Sequence, residues 1–241
     1  MTVRAIVFDA YGTLYDVRSV RGLATRLCGD KGELITQIWR LKQLEYTWLR
    51  ALMRSYEDFW STTRAALEFA LESTGIAPTP ALCDPLMAKY LDLDLYPEAR
   101  EALGALSGYK LAILSNGSPK MLDALVHASG VSGVLADVIS VDRTKTYKPD
   151  PKCYELVAPA LRVANHEVLF VSSNSFDVAG AKCFGFRVAW IERGGAAAPP
   201  ESGPAGFYRL LRARAERLRY PADFRIGALS DLAPLVASLG G

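Results

Sequence analysis

The sequence predicts an α/β fold: a parallel sheet clad in helices, with a helical unit inserted after the first strand. Three observations predict it. Five short apolar segments, residues 3–8, 110–114, 138–141, 168–171 and 188–191, are bounded by turn or polar residues, as buried strands are. Helix-length segments separate the last four, the alternation that builds a parallel sheet covered on both faces. Between the first segment and the second, from about residue 16 to about residue 92, only helical periodicity is legible.

The first strand runs straight into Asp9. The long gap after it carries Leu34, Ile38, Leu41, Leu44, Trp48 and Leu52 on one helical face, and Trp60, Leu67 and Leu71 on another. A crossover between parallel strands needs one helix, so this stretch is an inserted domain spanning 16–92 within a core made of 1–15 and 93–241. Ser118 before Pro119 and Asp150 before Pro151 each place a capping side chain ahead of a proline at the first helical position. Ligands of open α/β sheets sit outside the carboxyl ends of the strands, so an insertion leaving from the first strand lies over that rim as a cap. Further on, residues 194–204 read as a Gly/Ala/Pro linker. An arginine-rich helix is expected over 205–219, with Arg209, Arg212, Arg214, Arg217 and Arg219 among leucines; a solvated helix or half of a dimer contact is favoured over a membrane or nucleic-acid role.

Half of the 241 residues are apolar and the formal charge is only +2. Such a chain buries a substantial core, and it lacks the concentrated basic surface of a dedicated nucleic-acid binder. The N-terminus reads as a strand rather than a signal peptide, and no apolar run is long enough to span a bilayer. A cytoplasmic protein with no membrane partner is expected. Cys28, Cys83, Cys153 and Cys183 are widely separated and are read as isolated buried thiols. His127 and His166 are the only histidines and both lie away from the predicted strand ends, so a Ser-His-Asp triad finds no support.

Chemistry gathers where the strands end. Asp9-Ala-Tyr-Gly-Thr13 follows the first strand, a carboxylate ahead of a glycine-containing turn. Ser115-Asn-Gly-Ser118 follows the second and offers a hydroxyl, a carboxamide and a helix N-terminus, all suited to an anion. Tyr147-Lys-Pro-Asp150 and Ser172-Ser-Asn-Ser-Phe-Asp177 follow two more. Taken singly, Asp9 could be a turn residue, Lys148 a surface lysine, Arg40 a solvated helix residue, and Leu44, Phe59 and Phe176 plain core. Four polar loops on one rim favour a site.

These loops, in this order, together with the stretch from Trp39 to Arg50, resemble the L-2-haloacid dehalogenases of the haloacid dehalogenase superfamily over nearly the whole chain. The resemblance implies a Rossmann-like core, a four-helix-bundle-like cap and a homodimer. It also implies hydrolysis of short L-2-haloalkanoic acids to D-2-hydroxy acids through an aspartyl ester, with no metal or cofactor. Two departures from the superfamily's phosphatases agree: Tyr11 stands where they carry a second aspartate, and Ser172, Ser173 and Asn174 stand where they gather acidic ligands for magnesium. A halide leaves as a stable anion, whereas phosphoryl transfer wants a divalent cation.

By resemblance, Asp9 is the nucleophile and Lys148 the cation that keeps it ionised. Arg40 attracts the substrate carboxylate or the departing halide, Asn116 contacts the halide and Ser115 the substrate carboxylate. Thr13, Tyr154, Ser172, Asn174 and Asp177 form the supporting set, Asp177 either anchoring Lys148 or activating water. Tyr11, Leu44, Phe59 and Phe176 line the pocket for the alkyl group and halogen. The family often has tryptophan at Phe176 and glutamine at Leu41, which leaves pocket size open. Alternative readings are a hydrolase of another small L-2-substituted acid, such as a strained cyclic amino acid; a magnesium-dependent phosphatase; and a non-catalytic binding protein on the same scaffold.

Overall fold

The computed structural model describes residues 2–193 and 215–239. Among the described residues six strands form one sheet: β1 (Ala5–Phe8), β2 (Lys110–Ser115), β3 (Asp137–Ser140), β4 (Val168–Ser172), β5 (Arg187–Ile191) and β6 (Phe224–Ile226). Their order is β3-β2-β1-β4-β5-β6, with every pairing parallel. The central strands are apolar at nearly every position because both faces are covered; all of β1 and β4 is buried. Chain order reverses between β1 and β4, and that reversal opens the crevice in which sheets of this class bind ligands. Asp9 follows β1 directly at this point.

The five expected strands are present, β3 beginning one residue earlier than the pattern indicated. The sixth, β6, has three residues with only Ile226 buried, too short for any periodicity to register. Between β1 and β2 lie α1 (Arg21–Cys28), α2 (Gly32–Met53), α3 (Phe59–Ser73), α4 (Pro80–Lys89) and α5 (Ala99–Ala105), with no strand among them. Helices α6 (Pro119–Ser129), α7 (Pro151–Tyr154), α8 (Val157–Leu161), α9 (Ser175–Phe184) and α10 (Leu232–Leu239) complete the described chain. One apolar cluster runs without interruption from the strands through Trp39, Phe59, Leu67 and Tyr90 of the inserted helices.

The buried face of α2 differs from the one its leucines pointed to. Ile35, Trp39, Arg40, Gln43, Leu44 and Thr47 are buried, whereas Leu34 is 39% and Leu52 81% exposed. Burial here follows hydrogen bonding as well as hydropathy: Arg40, Gln43 and Thr47 on the inward face each make hydrogen bonds, which offset part of the cost of burying them. On α3 the expected Leu67 and Leu71 are buried, joined by Phe59, Thr62, Thr63 and Ala66.

Ser118 and Asp150 occupy the expected capping positions. Asp150 accepts from the Lys152 amide at 3.0 Å, but Ser118 makes no side-chain cap bond. All four cysteines are free thiols. Cys83 and Cys153 are buried as expected, Cys28 is only partly covered, and Cys183 is exposed on the outer side of α9. His127 and His166 are both exposed, on α6 and just before β4, away from the carboxyl rim of the sheet. The predicted linker and most of the arginine-rich helix lie outside the described residues; residues 215–220 are described and are not helical. No described helix is long and apolar enough to cross a membrane.

Candidate active site

The loop after β1 is built to present one carboxylate. The Asp9 amide still donates to the Val171 carbonyl at 2.9 Å, so its backbone is held as the last rung of the sheet. The chain then turns sharply: the amides of Thr13, Leu14 and Tyr15 all donate to the Ala10 carbonyl, at 3.2, 3.0 and 3.0 Å. Gly12 adopts φ +89°, a left-handed conformation that glycine reaches without steric cost. A side chain there would also press on the Ser173 hydroxyl, 3.3 Å from the position of a Cβ. That hydroxyl donates to the Gly12 carbonyl at 2.7 Å and ties the loop to the end of β4.

The Asp9 carboxylate is 6% exposed and held on both oxygens. Oδ1 lies 3.0 Å from Lys148 Nζ; Oδ2 accepts from Asn174 Nδ2 at 2.6 Å and from Thr13 Oγ1 at 3.3 Å. Lys148, 1% exposed, also reaches Asp177 Oδ2 at 2.8 Å, while Asp177 Oδ1 accepts from the Tyr154 hydroxyl at 2.7 Å. The backbone amide of Lys148 donates to Asn116 Oδ1 at 3.0 Å. The loops after β1, β2 and β4 and the Lys148 loop therefore meet through hydrogen bonds and not merely through proximity.

Charges so deeply buried set their own protonation. Burial pulls the Lys148 ammonium down, but Asp177 and Asp9 beside it more than reverse this, and its pKa is raised. Asp177 is pushed up to about 6 by burial, opposed by Lys148 and reinforced by Asp9. Burial also raises the phenols of Tyr11 and Tyr154 well above their ordinary range, so both stay neutral.

Asp9, Tyr11, Arg40, Leu44, Phe59, Asn116, Lys148, Asn174 and Phe176 line one pocket with about 260 Å³ of atom-free space, its mouth included. Arg40 and Leu44 come from α2 and Phe59 from the start of α3, so the inserted helices close the pocket over the rim of the sheet. Arg40 is 5% exposed, and its Nη2 donates to the Tyr11 carbonyl at 3.3 Å. The pocket combines a fixed carboxylate, two cationic side chains, two carboxamides and an apolar wall.

Of the residues singled out in the sequence, nine line this pocket. Thr13 and Asp177 stand behind the wall, bonded to Asp9 and Lys148 that line it, and Tyr154 stands one step further back on Asp177. Ser172 shapes the turn after β4 by accepting from the Asn174 amide at 3.1 Å. Ser115 does likewise after β2, accepting from the Gly117 amide at 3.1 Å, and is not among the lining residues. Leu41 is not among them either. Among the described residues no group of three His, Cys, Asp or Glu side chains is arranged to hold a metal ion.

Sequence reasoning missed the contacts that join the inserted helices to the core. The Tyr147 hydroxyl donates to the Glu57 carbonyl at 2.5 Å, and the Tyr56 hydroxyl donates to Asp142 at 2.7 Å. It also missed Arg193, whose guanidinium donates to the Thr13 carbonyl and to Glu98, both at 2.8 Å. These partners are remote in the chain, and no spacing announces them.

Comparison with known proteins agrees with this geometry. Residues 3–185 match the family model described as haloacid dehalogenase-like hydrolase. The chain is 46% identical to the (S)-2-haloacid dehalogenase of Xanthobacter autotrophicus, the match covering 99% of this chain and 97% of that protein. It is 42% identical to (S)-2-haloacid dehalogenase 4A of Burkholderia cepacia, covering 98% and 96%. The solved structure of the L-2-haloacid dehalogenase from Xanthobacter autotrophicus with chloropropionic acid covalently bound superposes with a TM-score of 0.95 at 45% identity, covering 99% of this chain and all of that one. The chain belongs to the haloacid dehalogenase-like hydrolases.

Proposed function

We propose that this protein is a hydrolytic (S)-2-haloacid dehalogenase that converts short L-2-haloalkanoic acids to D-2-hydroxy acids and halide. The observation that carries the reading is the buried Asp9 carboxylate, held by Lys148 and Asn174 at the floor of a pocket whose roof is Arg40, Leu44 and Phe59. Relatives of that name at 46% and 42% identity support it, as does the similar structure that carries chloropropionic acid covalently.

In this reading Asp9 attacks C2 of the bound acid opposite the carbon–halogen bond. An ester forms and the halide takes the bonding electrons. The attacking oxygen is already ionised and fixed, so little reorganisation precedes reaction. Arg40 and Asn116 receive the departing halide while Leu44, Phe59 and Phe176 exclude bulk water that would blunt the nucleophile. Water then adds to the carboxyl carbon of Asp9, and Lys148 and Asn174 stabilise the charge that develops there. The adduct then breaks the bond between that carbon and the ester oxygen. The hydroxy acid leaves with that oxygen and one proton from the water, and the other proton passes to solvent. Asp9 is regenerated as a carboxylate, and the configuration at C2 is inverted. No step asks for a metal or an organic cofactor.

Asp177 acts here as the anchor of Lys148, because both its oxygens are engaged, one by Lys148 and one by Tyr154. A pH dependence follows. As pH falls through about 6, Asp177 takes up a proton and Lys148 loses one of the two carboxylates that hold it. The kcat/KM profile is expected to fall on its acid side near that value, as a property of the coupled cluster. Asp177→Asn should give a low rate without that limb; an acid limb unchanged in this variant contradicts the assignment.

The helices between residues 16 and 92 form the cap domain in this reading, and the remaining segments form the core. Two chains pair as a homodimer, supported by Leu49, Leu52 and Met53 at the end of α2, which are 41%, 81% and 64% exposed. Sedimentation of the intact chain tests this, a single-chain mass counting against it. Four free thiols fit a reducing cytoplasm, and fractionation of the native host checks the compartment.

Halide release from the two enantiomers of 2-chloropropionate tests the function. Release from the (S) form with formation of D-lactate is expected, with the (R) form inert. Silence on both, with turnover of a strained cyclic 2-amino acid or of a phosphate ester, overturns it in favour of a sibling activity.

A further inference from the structure

Gln43 is fully buried on α2, three residues beyond Arg40, and is not among the residues lining the pocket. It stands behind Arg40. Arg40 Nη1 donates to Gln43 Oε1 at 2.6 Å, Gln43 Nε2 donates to Thr63 Oγ1 at 2.7 Å, and the Thr63 hydroxyl donates to the Phe59 carbonyl at 2.5 Å. The far end is fixed as well: the Trp39 indole donates to the Thr63 carbonyl at 2.8 Å, and Phe59 itself lines the pocket.

This chain of bonds has one direction. The Thr63 proton is committed to Phe59, so its oxygen can only accept from Gln43. The amide must therefore turn its NH₂ toward Thr63 and its carbonyl toward Arg40. A guanidinium on a helix has several rotamers open to it, and a preset acceptor removes that freedom before substrate arrives. The charge of the acceptor matters equally. A carboxylate at this position would hold Arg40 as firmly but would cancel its charge. The Gln43 and Tyr11 carbonyl oxygens, which accept from two of its N–H groups, are neutral, so neither cancels the charge that Arg40 brings to the pocket.

We propose that Gln43 is a positioning residue that aims Arg40 at the departing halide and, by being uncharged, adds no negative charge beside the guanidinium. The proposal rests on the dehalogenase reading above.

The test compares the wild-type chain with Gln43→Met, which keeps volume but loses the acceptor, and Gln43→Glu, which keeps the acceptor but adds a negative charge. Thermal unfolding is followed, and kcat and KM are measured on (S)-2-chloropropionate and (S)-2-bromopropionate. Both variants are expected to fold and to lose about 10- to 100-fold in kcat, the size that goes with losing a hydrogen bond to a charged group, with KM less affected. The loss is larger for chloride than for bromide, because the poorer leaving group depends more on the cation. Folded variants with unchanged kcat, or with equal losses on both halides, overturn the proposal and assign Gln43 to packing. If neither variant folds, Thr63→Val decides: it keeps Gln43 but removes the hydroxyl that orients it. A halide-dependent fall in its kcat supports the proposal, and an unchanged rate overturns it. A wild-type chain that releases neither halide refutes the dehalogenase reading itself, a result distinct from all of these.

Discussion

Asp9→Ala is expected to abolish halide release from (S)-2-chloropropionate, with kcat falling by about 10⁴- to 10⁶-fold, the range found when a covalent nucleophile is removed. The fold should survive. Lys148 keeps its 2.8 Å pair with Asp177, and the Asn174 amide keeps its 3.0 Å bond to the Tyr11 carbonyl. Removing Asp9 also relieves the repulsion that helps raise the Asp177 carboxyl. The expected pair of results is therefore an inactive protein with near-normal unfolding. Halide release at a rate close to wild type would mean that another group attacks carbon.

The second large effect is expected from Lys148→Met. The methionine fills similar space but leaves Asp9 Oδ1 and Asp177 Oδ2 without the ammonium that lies 3.0 and 2.8 Å from them. Breaking a buried ion pair by removing one partner costs about 3–5 kcal/mol when the other charge remains. Here two carboxylates remain, and the cluster lowers that cost by retaining a proton. A nucleophile that shares a proton with its neighbour is a poor one, so kcat/KM should fall by about 10³-fold or more. The sign of the stability change with pH follows. Carboxyl pKa values raised in the folded state mean that it binds more protons than the unfolded chain. The variant is therefore most stable in acid and loses stability as pH rises through the raised values. Unfolding midpoints measured across pH check this; a variant that gains stability with rising pH contradicts the role given to Lys148.

The carboxyl rim of the sheet was legible because its chemistry lies within a few residues of each strand. A strand end is marked by the change from apolar to polar sequence, and Asp9, Asn116 and Asn174 each stand one or two residues past one. Lys148 was legible from its motif. The cap was harder to read. Its main helix buries Arg40, Gln43 and Thr47 and exposes Leu52, so a hydropathy stripe caught Leu44 but missed the polar residues buried beside it. The polar residues go inward because partners wait for them there, and a partner such as Thr63, twenty residues away, leaves no trace in periodicity. The Tyr56–Asp142 and Tyr147–Glu57 bonds span 86 and 90 residues and are set by tertiary geometry alone. Ser115 shows the converse. The resemblance assigned it to the substrate carboxylate; its hydroxyl oxygen accepts from the Gly117 amide in the turn, and it is not among the residues lining the pocket.

The attack of Asp9 on carbon, followed by hydrolysis at its own carboxyl carbon, is the claim on which the other assignments depend. A single turnover with enzyme in excess over (S)-2-chloropropionate, in water enriched with heavy oxygen, tests it most directly. The account predicts that the peptide containing Asp9 gains the heavy oxygen, while the first lactate released carries ordinary oxygen from the carboxylate. Label entering lactate in that first turnover, with the Asp9 peptide unchanged, would show that water attacks C2 itself.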